Sequence, residues 1–207
     1  MTQTPRIWNW IAKRYAKSPV KNEIVYQKKL QVTQEYFKPN MKVLEFGCGT
    51  GSTAIAHASY VNHILATDFS ENMLEIAREK ARVSGIENIT FELTTIENLE
   101  AASKSFNAVL GLNILHLVED KQKIMAKVHE LLEPGGFFVS STPCLANTSI
   151  FLRYLLPIAN RLGIAPSVKF FSGEELETAI TQAGFLIDYR WEPDSTASLF
   201  LIAKKPL

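Results

Sequence analysis

The chain has 207 residues, 46% of them hydrophobic, with 22 basic and 21 acidic side chains, enough for one well-buried α/β domain and too little for two full ones. No apolar run reaches the ~18 residues that cross a bilayer, and Met1 to Tyr15 mixes Trp, Arg and Lys without a signal peptide's apolar core, so a cytoplasmic protein is expected. Two cysteines, Cys48 and Cys144, make no disulfide framework and no Cys/His pairs fall at zinc spacing, which points away from metal and redox chemistry.

The first predicted elements are helices, Ile7 to Lys17 and about Val20 to Phe37, parted by Ser18 and Pro19. They read as an N-terminal cap over residues 1 to 38. Pro39 and Asn40 then lead into a strand at 42–46, which carries Glu45 near its tip and breaks into Gly47, Gly49 and Gly51. Glycine is needed where backbone takes positive φ or approaches a ligand with no Cβ in the way, so this is a cofactor loop between a strand and a helix starting at Ser52. The dinucleotide fingerprint G-x-G-x-x-G has another spacing. Thr53 and Ala54 stand where its third glycine would be sought, which disfavours NAD.

A second strand, 63–67, ends at Asp68. In a doubly wound sheet that tip lies beside the glycine loop, where a carboxylate can accept both hydroxyls of a ribose. Ser70 suits the N-cap of the following helix, 71–83, which leaves Asp68 for the ligand. That helix has Met73, Ile76, Ala77, Lys80 and Ala81 on its inward stripe and is closed by Gly85. Strands at 89–93 and 106–111 follow, then Asn113 to His116 at the carboxyl edge, then a helix at 120–132 using Ile124, Val128 and Leu131, with His129 facing outward. Pro134, Gly135 and Gly136 turn into a strand at 137–141. Residues 143 to 171 form an apolar, proline-broken insert. Ser172 and Glu175 make a capping box for a helix ending before Gly184, and 185–191 with 198–203 read as a hairpin turned by Pro193, Asp194 and Ser195. Strands alternating with helices predict a parallel sheet covered on both faces.

With these residues the chain resembles the class I S-adenosylmethionine-dependent methyltransferases, most closely the small-molecule, ubiquinone/menaquinone-type branch. The matching segments are VLEFGCGTG (43–51), ATDFSENML (66–74), TTIENL (94–99), FNAVLGLNILHLVED (106–120) and LLEPGGFFV (131–139). They cover residues 40 to 142 well and the tail loosely. The resemblance implies a single Rossmann-like α/β domain over residues 1 to 207, a doubly wound, mostly parallel sheet with an antiparallel last strand, the helical cap (1–38) and a substrate lid (143–171). It implies S-adenosyl-L-methionine as cofactor.

It also implies roles for residues. Glu45 holds the amino acid head through its ammonium or a water, while backbone N–H groups of Gly47, Cys48, Gly49 and Gly51 surround the ligand and Asp68 takes the ribose. Phe69 and Met73 pack on adenine, since an aromatic ring and a thioether both give large, soft contact with a flat π-system; Met73 is open to a plain core reading as well. Where the family commonly has an Asp that accepts the adenine amine, this chain has Thr95, then Ile96 and Glu97. Either Glu97 or backbone takes over, or the adenine site is looser. Asn113 stands where the methyl donor lies. His116 is open to two readings, a general base or a group that packs over the cofactor.

Methyl transfer from a sulfonium needs orientation and desolvation and no nucleophilic side chain, so the acceptor is hardly written in the sequence. The expectation is an enzyme acting on a small or lipid-like, apolar or anionic acceptor. The alternative is a protein that binds S-adenosylmethionine without transferring methyl, as a sensor or assembly partner. Nucleic acid is disfavoured as a substrate because Gly-Leu-Asn-Ile (111–114) replaces the N-P-P-Y-type motif and no RNA-binding module is appended. Residues 1–38 and 143–171 together carry 11 basic groups against two acids, leaving 11 basic and 19 acidic groups elsewhere. Beside the apolar residues of the insert (Ile150, Phe151, Leu152, Tyr154, Leu155, Leu156, Ile158, Leu162, Ile164), that division suggests an anionic acceptor or peripheral contact with an anionic membrane.

Overall fold

The computed structural model describes residues 5–20, 22–146, 150–161, 165–193 and 198–207. Its centre is one seven-stranded sheet in the order β3-β2-β1-β4-β5-β7-β6. The strands are β1 (Lys42–Phe46), β2 (His63–Asp68), β3 (Ile89–Leu93), β4 (Phe106–Leu112), β5 (Leu132–Pro143), β6 (Leu186–Trp191) and β7 (Ser198–Lys204). The pairs from β3 through β5 are parallel, and β7 runs antiparallel to both β5 and β6. The mostly parallel sheet with an antiparallel last strand is thus present.

Side chains on β1 alternate between two cores, as the strand period of two requires. Leu44 and Phe46 join Val109, Phe138 and Leu201 beneath α5 (Lys121–Leu131) and α7 (Gly173–Gln182). Val43 joins Ile64, Ala108, Val139 and Ile202 on the opposite face, with Leu74 of α4 (Glu71–Val83) and Ala54 of α3 (Ser52–His57). Glu45 shares Val43's parity and ends up buried at the tip of that face.

The helix starts are capped where the sequence supplies an acceptor. Asn22 caps α2 (Glu23–Tyr36) at Val25 N, 3.1 Å, so this helix begins three residues later than the pattern alone suggests. Ser70 caps α4, Asp120 caps α5, and Ser172 with Glu175 forms the expected capping box on α7. In α4, Leu74 is buried along with Met73, Ala77 and Ala81, whereas Ile76 and Lys80 are only half-buried. His129 is not outward: it is half-buried and meets Phe185 edge-on at 5.1 Å. The Pro134–Gly136 turn proves to be an irregularity inside a longer β5, whose register with β4 shifts between Phe106 and Ala108.

Pro157 does not break its helix. α6 (Ile150–Arg161) runs through it, because only the Arg153 carbonyl loses a donor and Arg153 is exposed, so water can serve that carbonyl. The turn residues Asp194 and Ser195 lie outside the described residues, as do Lys21, Leu162, Ile164 and the side chains of residues 150 to 152. Ahead of the sheet, α1 (Pro5–Lys17) crosses onto α4: Asn9 Oδ1 accepts from Ser70 Oγ at 2.6 Å, and Asn72 Nδ2 donates to Asn9 O at 3.0 Å.

Candidate functional site

Strand order reverses between β1 and β4, the place where an open α/β sheet leaves a crevice outside its carboxyl ends. The loops after β1, β2, β3 and β4 all meet there, around a cavity of about 1410 Å³. The three loop glycines have φ of +65°, +53° and +71° at Gly47, Gly49 and Gly51. A Cβ on Gly49 would meet nothing within 4 Å, so this residue presents bare backbone to open space. Gly51 differs. It does not line the cavity, and a Cβ there would come within 2.8 Å of the Ala77 Cβ, so it serves the packing of α3 on α4.

Asp68 is pinned by the backbone. Gly49 N donates to its Oδ2 and Ser70 N to its Oδ1, each at 2.9 Å. The Phe69 N–H also bonds this carboxylate, which lines the cavity. Burial raises its pKa against the pull of these N–H donors. Glu45, 3% exposed, has an Oε2 with no hydrogen-bond partner, and burial, with Asp68 adding to it, pushes its pKa up to about 8. Two neighbouring buried acids, one with an orphaned oxygen, beside an uncluttered glycine backbone suit a ligand with a cationic head and vicinal hydroxyls. S-adenosylmethionine has both features.

The cavity brings together Phe69, Met73, Thr95, Ile96, Glu97 and Asn113, together with Gly47 and Cys48. Met73 and Ile96 are buried, Phe69 half-buried and Glu97 exposed. Asn113 holds a left-handed φ of +55° at the end of β4, with its N–H bonded to Ser141 O at 2.6 Å. Burial raises the Cys48 thiol well above its ordinary range, so Cys48 is a neutral wall residue at physiological pH. His116 is not among the cavity's lining residues. Its Nδ1 has no partner, its carbonyl accepts from Lys169 N at 2.8 Å, and burial lowers its pKa to about 4.

Part of the wall comes from residues the sequence did not single out. The first two helices contribute Trp8, Tyr15, Tyr26, Lys29 and Thr33. Tyr26 bonds Thr53, and burial raises the pKa of both Tyr15 and Tyr26, with Asp68 acting on the first and Glu45 on the second. Lys80 reaches across to Thr50 Oγ1 at 2.9 Å and Ser52 Oγ at 3.0 Å beside the glycine loop. Its place on the inward stripe of α4 was the available signal; for the cap residues there was only helical periodicity.

A methyltransferase-domain family profile matches residues 37–162, more than half of the chain. A ubiquinone biosynthesis O-methyltransferase of Dinoroseobacter shibae is 30% identical over 167 residues, covering 74% of this chain and 66% of that protein. The ubiquinone/menaquinone biosynthesis C-methyltransferase UbiE of Desulfotalea psychrophila is 30% identical over 164 residues, 70% of this chain and 65% of its own. The chain thus spans slightly less than two thirds of the length of these relatives. In the solved structure of the Bacillus subtilis protein YcgJ the same fold recurs with a TM-score of 0.72 at 17% identity, over 87% of this chain and 99% of that one.

Sheet order, glycine loop and paired acids define an α/β domain of the Rossmann-like, nucleoside-binding kind. The chain belongs to the methyltransferase-domain family, and it is similar to class I S-adenosylmethionine-dependent methyltransferases of the ubiquinone/menaquinone type.

Proposed function

We propose that the protein transfers a methyl group from S-adenosylmethionine to a small, largely apolar acceptor of quinone type. The observation that carries this is the cavity itself, which runs from the buried Glu45 and Asp68 past Asn113 to a far end where Leu112, Pro143 and Phe200 give apolar wall beside Ser141 and Ser198. The cofactor supplies an activated methyl on a positively charged sulfur. In the reaction a lone pair of the acceptor forms the new bond to the methyl carbon while the carbon–sulfur bond breaks and its electron pair stays on sulfur. The protein's part is to orient and to exclude water. Asp68 takes the ribose, Glu45 the cationic head, Gly49 the backbone approach, and Phe69, Met73 and Ile96 the adenine, with Thr95 or Glu97 at its amine. The low basicity of His116 and its place behind the rim favour packing over proton removal.

The acceptor class rests on relatives that act, by their names, in ubiquinone and menaquinone biosynthesis. The test is release of S-adenosylhomocysteine with a panel of hydroxylated quinones and quinols. Acceptor-dependent release is expected. Tight cofactor binding with no release for any acceptor would replace this reading with cofactor binding without transfer.

The same reading extends to the surroundings. A cytoplasmic enzyme serving a lipid-like acceptor gains by resting on an anionic membrane surface, and α6 offers one: Tyr154, Leu155 and Ile158 are exposed beside Arg153 and Arg161. Among the described residues no helix is long and apolar enough to cross a membrane. Nucleic acid is left out of the proposal, since Gly-Leu-Asn-Ile (111–114) replaces the N-P-P-Y-type motif at the end of β4.

A further inference from the structure

Lys29 is a cation turned into the cavity with no acid to meet it. On α2, Val25, Tyr26, Lys29 and Thr33 fall at helical spacing on one stripe, and all four line the cavity. Its neighbour Lys28 faces the other way and lies over the Trp191 ring at 4.4 Å. Of the three N–H donors on Lys29 Nζ, one is used, by Ser141 Oγ at 2.8 Å, and no carboxylate is paired with it among the described residues. Burial lowers its pKa.

The position of this ammonium is set by the sheet. Ser141 lies near the carboxyl end of β5, in register with Leu112 of β4 and Phe200 of β7, and its carbonyl holds the Asn113 N–H. Glu45 and Asp68 stand at the tips of β1 and β2, so Lys29 belongs to the other half of the cavity, where the acceptor would enter. A half-buried ammonium facing a sulfonium repels it, and the repulsion is relieved when an anion lies between them. We infer that Lys29, held by Ser141, binds an anionic oxygen, carboxylate or phenolate, carried by an otherwise apolar acceptor. Leu112, Pro143 and Phe200 give the rest of such a molecule its apolar walls. This rests on the methyltransferase reading of the cavity and adds to it the charge of the acceptor and the residue that selects for it.

The test uses a pair of ring compounds of the same shape, 2-naphthoate and 2-naphthamide, titrated by fluorescence, with S-adenosylmethionine affinity measured in parallel by calorimetry. A charge-assisted hydrogen bond predicts that the wild-type protein binds naphthoate at least about tenfold more tightly than the amide. Lys29→Met abolishes this preference, Lys29→Arg keeps part of it, and neither binds the cofactor more weakly than the wild type, because no attraction to the sulfonium is lost. The inference is overturned if the wild-type protein binds the two probes equally or binds neither, or if the preference survives in Lys29→Met. The wild-type comparison needs no variant to fold. Failure of the wild-type protein to bind S-adenosylmethionine would instead remove the methyltransferase reading itself.

Discussion

At the scale of single residues the decisive feature is Glu45, a carboxyl that carries a proton when the site holds no cation. Its pKa of about 8 against an ordinary 4.5 means the folded state binds more protons than the unfolded state between those limits, so stability falls as pH rises through that window. Glu45→Gln removes this charge, and the cofactor-free variant should be more stable than wild type at pH 7, by up to ~3 kcal/mol, in denaturant unfolding. A cationic ligand lowers the same pKa. Cofactor binding at pH 7 should then release close to one proton, seen by calorimetry in buffers of different ionisation enthalpy, and affinity should rise with pH up to about 8. Glu45→Gln should release none.

Asp68 acts through hydrogen bonds. Asp68→Ala removes contacts worth about 2 to 4 kcal/mol and should weaken S-adenosylmethionine binding at least tenfold by calorimetry; unchanged affinity in a folded variant would remove the ribose role. His116→Ala should lower turnover and cofactor affinity together, and the rate should show no inflection near pH 6 to 7 that depends on it. A roughly 100-fold loss of turnover at unchanged affinity would restore His116 as a base.

At the scale of elements, the strand–loop–helix unit from β1 to α3 holds two glycines with the same backbone sign and different duties. Gly49→Ala adds a Cβ into open space, so the fold loses only about 1 to 2 kcal/mol for a left-handed alanine, while cofactor binding should fail because that Cβ projects where the ligand backs onto the chain. Gly51→Ala adds the same strain and a 2.8 Å clash with Ala77, and should lower the melting temperature by more, with any loss of binding following the loss of fold. Thermal unfolding and calorimetry on the two variants separate these duties.

The contrast also shows which parts of the site a sequence discloses. The glycine loop, Glu45 and the Ser70 cap depend on neighbours within a few residues, and Asp68 ends a strand whose place beside the loop follows from the alternation of strands and helices, so they are visible in the order of letters. Lys29 and Ser141 are 112 positions apart, and their pairing depends on how α2 is laid across the sheet edge. Nothing local separates Lys29 from Lys28. Pro157 misleads for a related reason: whether a proline ends a helix depends on whether solvent can serve the freed carbonyl, which only the fold decides.

At the scale of the whole molecule, cap and insert are net positive, with 11 of the 22 basic groups against two acids, and the rest of the chain is net negative. Trp10 and Ile24, 81% and 83% exposed on α1 and α2, add apolar groups to the basic cap, and Tyr154 and Ile158 do the same on α6. Membrane docking predicts co-sedimentation with anionic but not neutral vesicles, weakened by salt and by charge reversal at Arg153 and Arg161, each contributing ~1 kcal/mol. Indifference to anionic vesicles at low salt would leave the charge division without a role.

The placement of β7 sets a schedule for biosynthesis. Although β7 follows every other strand in the chain, it is an interior strand of the sheet, and Leu199 to Ala203 are all buried in it. A ribosome therefore finishes β1 to β5, with the whole cofactor loop, while the outer edge of β5 still displays unpaired backbone and the apolar side chains Phe137, Phe138 and Val139. Sheet closure waits for residue 204 to emerge, and until then the nascent chain presents the edge that other chains can pair with. Chaperone demand, and the yield lost to aggregation, should concentrate in that interval.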